Sequence, residues 1–109
     1  MKIYISLPII GKDEAGQRQK SKKWQKHFED KGHEVINPFD LSDNLDETFI
    51  KLGKKPLYKD YMIEDLVNLA FCTHLFLCDG WSESKGCITE VEIAYKHKIK
   101  FLFERNFKI

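Results

Sequence analysis

The chain has 109 residues, a length that suits one domain (1–109) and is too short for separate substrate and cofactor domains. Its 18 basic and 17 acidic residues give a net charge of +1, so no overall positive field would recruit nucleic acid or an anionic membrane. No apolar stretch approaches the roughly 18 residues of a membrane span. We therefore expect a soluble protein without nucleic-acid or membrane partners.

Short apolar segments predict β-strands, and helical patterns separate them. The predicted strands cover residues 2–7, 33–36, 73–78 and 99–103. The predicted helices cover residues 13–31, 57–71 and about 85–98. Residues 39–55 fit neither period, and we expect a loop with a short helix near the site. This alternation predicts an α/β domain of Rossmann-like or flavodoxin-like type, with a parallel sheet of four to five strands and helices on both faces.

The cysteines and histidines show no metal-ligand spacing. Cys72, Cys78 and Cys87 are odd in number, form no CxxC pair and lie in apolar surroundings, which is typical of reduced packing thiols in a cytoplasmic protein. The four histidines are scattered along the chain. We expect neither a metal nor a cofactor.

The segment from the third strand into the last helix is the most informative. The apolar strand stops at Asp79-Gly80, a turn pair, and Ser82 and Ser84 are candidate N-caps of the helix that carries Glu90. In open α/β sheets, ligands bind beyond the carboxyl ends of the strands, near the N-termini of the following helices. Glu90 is therefore expected close to a ligand.

Two carboxylates, Glu90 and Asp65, have mostly small or apolar neighbours at helical spacing. The alternative is that both are ordinary boundary carboxylates. Glu92 has Lys96 four residues on and Glu64 follows Asp60 at the same spacing, so these two acids are expected to be solvated.

Several motifs together resemble the nucleoside 2-deoxyribosyltransferase superfamily. They are Asp65-Leu66, Gly80-Trp81, Ser84-Lys85-Gly86, Glu90 with Ala94, and the segments 2–6 and 32–38. The block from Gly80 to Glu90 most resembles a small branch of bacterial and phage proteins similar to 2'-deoxynucleoside 5'-phosphate N-hydrolases.

The resemblance implies cleavage of an N-glycosidic bond in a nucleoside or nucleoside 5'-monophosphate. Glu90 would attack the anomeric carbon, as in retaining glycosidases, and Asp65 would help the base to depart. Tyr4 would hold Glu90 by a hydrogen bond, although a buried core aromatic is an equally good interpretation. The implied substrate contacts are Ser6, Pro8, Gly11, Asp79, Gly80, Trp81, Ser84 and Gly86. A homo-oligomer is also implied, and Trp81, Phe49 and Phe107 are candidates for exposed apolar contacts.

Two sequence features concern how the 5' position of the sugar, with or without a phosphate, would be recognised. Ser84, six residues before Glu90, is typical of the 5'-phosphate hydrolases rather than the transferases, but it could equally be only a helix cap. The first loop has Leu7 where a Gly is usual and Ile10 where the hydrolases have an Arg. Phosphate binding would then depend on Lys12 or the Lys54-Lys55 pair, whereas a less polar loop would suit a modified base or another glycoside.

The leading hypothesis is thus a cytoplasmic N-glycosidase or deoxyribosyltransferase, with hydrolysis favoured over transfer. The alternative is a non-catalytic module that senses a nucleotide on the same fold. Replacement of Glu90 by Gln discriminates the two, because it should abolish turnover in an enzyme and change little in a binding module.

Overall fold

The computed structural model describes residues 1–107 and contains a four-stranded parallel sheet. Its strands are β1 (Lys2–Ser6), β2 (Glu34–Ile36), β3 (His74–Leu77) and β4 (Lys100–Phe103). Their order in the sheet is β2-β1-β3-β4 and every neighbouring pair is parallel, with Tyr4 opposite both Ile36 and Leu75. The predicted Rossmann-like α/β fold is confirmed.

Four α-helices connect or flank these strands: α1 (Glu14–Glu29), α2 (Pro38–Lys51), α3 (Tyr58–Ala70) and α4 (Lys85–Lys96). Short 3-10 turns lie at Trp81–Glu83 and Glu104–Asn106. The helices predicted at 13–31, 57–71 and about 85–98 are confirmed, and their ends differ from the prediction by at most two residues. The helix α1 begins one residue later than predicted because Asp13 is its N-cap. The Asp13 carboxylate accepts the Gly16 backbone N–H at 3.2 Å.

The helix expected within residues 39–55 is present but is longer than expected, because most of this segment forms the 14-residue helix α2 rather than a loop with a short helix. Asn37 caps the helix by accepting the Phe39 backbone N–H at 3.0 Å, and Pro38 occupies its first turn. A proline fits there because its fixed φ suits a helix and its missing N–H would be unpaired anyway. The pair Asn37-Pro38 was one signal for α2 in the sequence, and the four-residue spacing of Leu41, Leu45 and Phe49 was another.

The two faces of the sheet carry separate apolar layers. Along β1, Ile3 and Ile5 face α1 and pack with Trp24 and Phe28, whereas Tyr4 belongs to the layer on the opposite face. Successive side chains of a strand alternate between faces, so Ser6 projects on the same side as Tyr4. That side is covered by α3 and α4, which supply Leu69 and Ala94 to its apolar layer.

The three aromatic residues expected as exposed contacts, Trp81, Phe49 and Phe107, are each only partly exposed. Phe107 packs on the layer beside α1, and Trp81 packs on the layer beside α4. The exposed apolar side chains include Ile63, Val67 and Phe71, at four-residue spacing along and just beyond α3. The expected homo-oligomer stays a prediction.

Two further expectations concern the cysteines and the membrane. All three cysteines are buried and none forms a disulfide, and burial raises the pKa of the Cys72 thiol to about 11. The cysteines therefore serve as packing residues, as predicted.

Among residues 1–107, no helix is both long enough and apolar enough to cross a bilayer.

Candidate functional site

A cavity of about 310 Å³ lies among the first loop, α1, α2, α3 and the start of α4. Glu90 and Asp65 both line it, as do Ser84 and Gly86. Ligand sites in open parallel sheets lie at this edge, where the strands end and helices begin. The structure thus brings four of the sequence-predicted site residues to one cavity.

Glu90 is almost fully buried in the second turn of α4, with 6 % of its surface exposed. The Ser6 hydroxyl, at the end of β1, donates a 2.7 Å hydrogen bond to Glu90 Oε1. Among residues 1–107 no Lys, Arg or His lies within 4 Å of this carboxylate. Burial raises the pKa of Glu90 to about 7, against the opposing effects of the Tyr4 and Ser6 hydroxyls.

Asp65, on α3, shares the cavity with Glu90. Burial raises the pKa of Asp65 to about 8, and the charges of Glu90 and Glu64 add to the rise. Two interacting carboxyl groups titrate as a pair, and the Ser6 hydroxyl favours the ionised form of Glu90, so the proton that the pair keeps is favoured on Asp65. The arrangement therefore offers one ionised carboxylate beside one carboxylic acid.

The Tyr4 hydroxyl is completely buried and makes no hydrogen bond within residues 1–107. Burial raises its pKa well above the usual value, and the charges of Glu90 and Asp65 raise it further. The Ser6 hydroxyl makes the hydrogen bond of ordinary geometry to Glu90, and the Tyr4 hydroxyl lies near enough to the same carboxylate to lower its pKa. A catalytic role for Tyr4 stays a prediction.

Ser84 is a helix cap that also lines the cavity, and its contact with a sugar or phosphate stays a prediction. Its Oγ accepts the Cys87 backbone N–H at 3.3 Å, which caps α4, and the residue also lines the cavity. Because the oxygen is the acceptor in this bond, the hydroxyl proton is free to be donated to a ligand. A methyl group on Gly86 would lie 3.9 Å from Ser84 Oγ, in ordinary contact, so an alanine there would fit but fill part of the cavity.

The remaining predicted substrate contacts lie elsewhere. Ser6 is fully buried beneath Glu90. Pro8 is also buried, and its carbonyl accepts a hydrogen bond from the Gln17 side chain. Gly11 lies in an exposed turn with φ +79°. Three further residues line a separate cavity of about 100 Å³, namely Asp79, Gly80 and Trp81. They are displaced because the chain turns through Gly80, at φ +88°, into a 3-10 turn before Ser84 returns it to the main cavity.

Several cavity residues were missed from the sequence. Phe39 and Asp46 come from α2, which was not predicted as a full helix, and Tyr58 and Tyr61 come from the first turns of α3. The Tyr61 hydroxyl donates to Asp46, which joins the two helices across the cavity. Recognition of the Asn37-Pro38 helix start would have placed Asp46 on the same helix as Phe39.

Arg18 is the one Lys, Arg or His among the described residues that line the cavity. Its guanidinium makes two hydrogen bonds to Asp43, at 2.8 and 2.9 Å, and lies 4.7 Å from the centre of the Phe39 ring. The phosphate contacts considered in the sequence, Lys12 and the Lys54-Lys55 pair, do not line this cavity. An anionic ligand would therefore find no unpaired cationic side chain among the lining residues within 1–107.

Residues 1–103 match the family described as a domain of unknown function, DUF4406. The chain belongs to the DUF4406 family. No curated protein matches it. Among solved structures, this DUF4406 protein is similar to the 2-deoxyribosyltransferase of the psychrotolerant bacterium Bacillus psychrosaccharolyticus, with 16% identity and a TM-score of 0.64 over 94% of this chain and 71% of that one. At this identity the two proteins share the deoxyribosyltransferase fold.

Proposed function

We propose that the protein hydrolyses the N-glycosidic bond of a nucleoside through a covalent glycosyl-enzyme intermediate on Glu90. The observation that carries the proposal is the buried Glu90 carboxylate, oriented by Ser6, in the same cavity as the second acid Asp65. The fold shared with a 2-deoxyribosyltransferase supports glycosyl chemistry on a nucleoside. A surface carboxylate would be solvated and ion-paired, and Glu90 is neither.

The first chemical step is attack by Glu90 on the anomeric carbon. The Ser6 hydroxyl donates to Oε1, and we assign to Oε2 the bond to the sugar. The C–N bond breaks as the bond to Glu90 forms, and its electron pair leaves with the base. Asp65 donates its proton to a neutral base as that base departs.

In the second step, water attacks the glycosyl ester and Glu90 leaves as a carboxylate. Asp65, now ionised, takes the proton from that water, which restores both groups to their starting states. A second base in place of water would convert the same sequence into transfer. The raised pKa of each acid suits this exchange, because a catalytic acid or base works best when its pKa is near the operating pH.

The charges around the cavity favour an unphosphorylated nucleoside over a 5'-monophosphate. A phosphate would approach Glu14, Asp46 and Glu90, while Arg18 is already paired with Asp43. Like charges at close range repel and cost affinity. Ser84 is then a hydrogen-bond donor to the sugar rather than a phosphate site.

The test is release of free base from a panel of ribo- and deoxyribonucleosides, with and without a 5'-phosphate, followed by chromatography. Glu90→Gln should lower the rate at least about a thousandfold, because the variant has no nucleophile. Glu92→Gln is the matched control: it makes the same change on the same helix at an exposed position outside the cavity. It should leave the rate unchanged.

Two results would contradict the proposal. One is base release that survives in the Glu90→Gln variant. The other is a folded wild-type protein that releases base from no member of the panel, with or without an acceptor base. The second result would favour a binding module on the same fold.

A further inference from the structure

The main cavity carries more negative than positive groups. Among the described residues that line it, Glu14, Asp46 and Glu90 are the acids that can carry negative charge, Asp65 is the acid that keeps the proton, and Arg18 is the one cation. The two terminal nitrogens of Arg18 are bonded to Asp43, and its Nε lies 3.4 Å from Glu14. The positive charge of Arg18 is therefore already balanced, and the excess in the cavity is negative.

Part of the excess negative charge in the cavity lies on the buried carboxylate of Glu90. The side chain is more than nine-tenths buried, lines the cavity, and has a neutral hydroxyl as its hydrogen-bond partner within residues 1–107. A buried carboxylate without a counter-charge is costly, so a ligand that brings a positive charge is favoured there. The raised pKa values of Glu90 and Asp65 agree with a site that lacks this charge when empty.

The aromatic walls of the cavity suit a flat cation. Phe39, Tyr58 and Tyr61 all line it, and the negative faces of aromatic rings attract cations within about 6 Å. The Arg18 guanidinium, 4.7 Å from the Phe39 centroid, already shows this contact on one wall. Tyr61 also donates to Asp46, which places a carboxylate directly beside a ring.

We propose that the preferred substrate is a nucleoside whose base bears a fixed positive charge, such as a ring-N-alkylated purine or a pyridinium nucleoside. This inference rests on the proposed glycosidase function and specifies its substrate class. The acids and the aromatic walls of the cavity together recognise the charged base, and Glu90 reacts with the sugar attached to it.

The chemistry of such a substrate is simpler than that of a neutral nucleoside. Glu90 forms a bond to the anomeric carbon, the C–N bond breaks, and its electron pair neutralises the cationic ring. The base leaves uncharged without needing a proton. Water then attacks the glycosyl ester, Glu90 leaves as a carboxylate, and one proton is released to solvent. Asp65 is thus dispensable as the acid of the first step.

The direct test is binding of two uncleavable ring compounds that differ mainly in charge. The cation is 1-methylnicotinamide and the neutral compound is nicotinamide, each titrated into the wild-type protein and followed by NMR. We expect at least about fivefold tighter binding of the cation, with shifts at Tyr61 and Phe39. Equal affinities, or no detectable binding of the cation, would overturn the inference.

A matched pair of variants locates the effect. Asp46→Asn keeps an acceptor for Tyr61 but removes one negative charge from the cavity, and should lower the cation preference about threefold or more. Asp40→Asn makes the same change on the same helix at an exposed position outside the cavity, and should leave the preference unchanged. Equal effects of the two variants would contradict recognition within the cavity.

A kinetic comparison separates this inference from the glycosidase proposal. Nicotinamide riboside, a pyridinium nucleoside, should be cleaved, and Asp65→Asn should slow it far less than it slows a neutral nucleoside. Turnover of neutral nucleosides without any preference for the cation would leave the glycosidase standing and overturn the charge preference. Preferential cation binding with no turnover of any nucleoside would overturn the glycosidase proposal and leave only the charge preference of the cavity standing.

Discussion

Two acids at the carboxyl edge of the sheet are given different roles by their surroundings. Glu90 is held by the Ser6 hydroxyl, which stabilises its ionised form, whereas within residues 1–107 Asp65 accepts no such hydrogen bond and also lies near the charge of Glu90. Environments that push two pKa values apart distinguish the acid from the base. Glu90 is therefore suited to attack and Asp65 to proton donation.

This pairing predicts a bell-shaped dependence of kcat/KM on pH for a neutral nucleoside. Activity requires Glu90 ionised and Asp65 protonated, so the rate should rise with pH up to about 7 and fall above about 8. Asp65→Asn should abolish the alkaline limb and lower the maximum rate by about a hundredfold. Steady-state rates between pH 5 and 10 measure both effects, and an alkaline limb that persists in the variant would contradict the role of Asp65.

Ser6 is predicted to act through Glu90 rather than on the substrate. Its hydrogen bond lowers the pKa of Glu90, so Ser6→Ala should move the acid limb of the pH profile to higher pH. The rate at pH 6 should fall several-fold more than the rate at pH 7.5. Ser82→Ala, at an exposed position outside the cavity, is the control. A uniform loss at every pH in Ser6→Ala would instead indicate a structural defect.

At the scale of elements, the start of α2 holds one wall of the cavity in place. The Asn37 side chain accepts the Phe39 N–H and donates to Ser21 Oγ at 3.1 Å and to Gln25 Oε1 at 3.0 Å. One buried amide thus fixes the helix start and ties it to α1. Phe39 and Asp46 depend on this anchor for their positions.

Asn37→Ala should therefore lower the free energy of unfolding by about 2 kcal/mol, because it removes a cap and leaves buried polar groups without a partner. Urea denaturation measures the loss. Asn44→Ala lies at an exposed position of the same helix and should change stability by less than about 0.5 kcal/mol. Equal losses in the two variants would show that the cap contributes nothing beyond helix propensity.

The helix α2 is also the element that was predicted least well from the sequence. The four strands were predictable because each is a short apolar run, and α4 was predictable because Ser84 and Glu90 lie on one local segment. Only a short helix was expected within residues 39–55, although Leu41, Leu45 and Phe49 recur at four-residue spacing and the Asn37-Pro38 pair marks the start of α2. The aromatic wall that α2 shares with α3 was missed with the full length of this helix.

At the scale of the whole molecule, the site depends on contacts between distant parts of the chain. Ser6 and Glu90 are 84 residues apart, and they meet because α4 covers the face of the sheet on which Ser6 projects. Their separate patterns predicted both residues but not the hydrogen bond. The sequence likewise grouped Asp79, Gly80 and Trp81 with Ser84, whereas the turn at Gly80 places them at a different cavity.

The central claim is that Glu90 forms a covalent bond to the sugar. It is tested most directly by mixing the wild-type protein with a cleavable nucleoside, quenching with acid within the first turnover, and measuring the intact mass and the peptide masses. A mass increase equal to one glycosyl group, located on Glu90 and absent from the Glu90→Gln variant, is the expected result. Rapid base release with no adduct on Glu90, or with an adduct elsewhere, would contradict the mechanism.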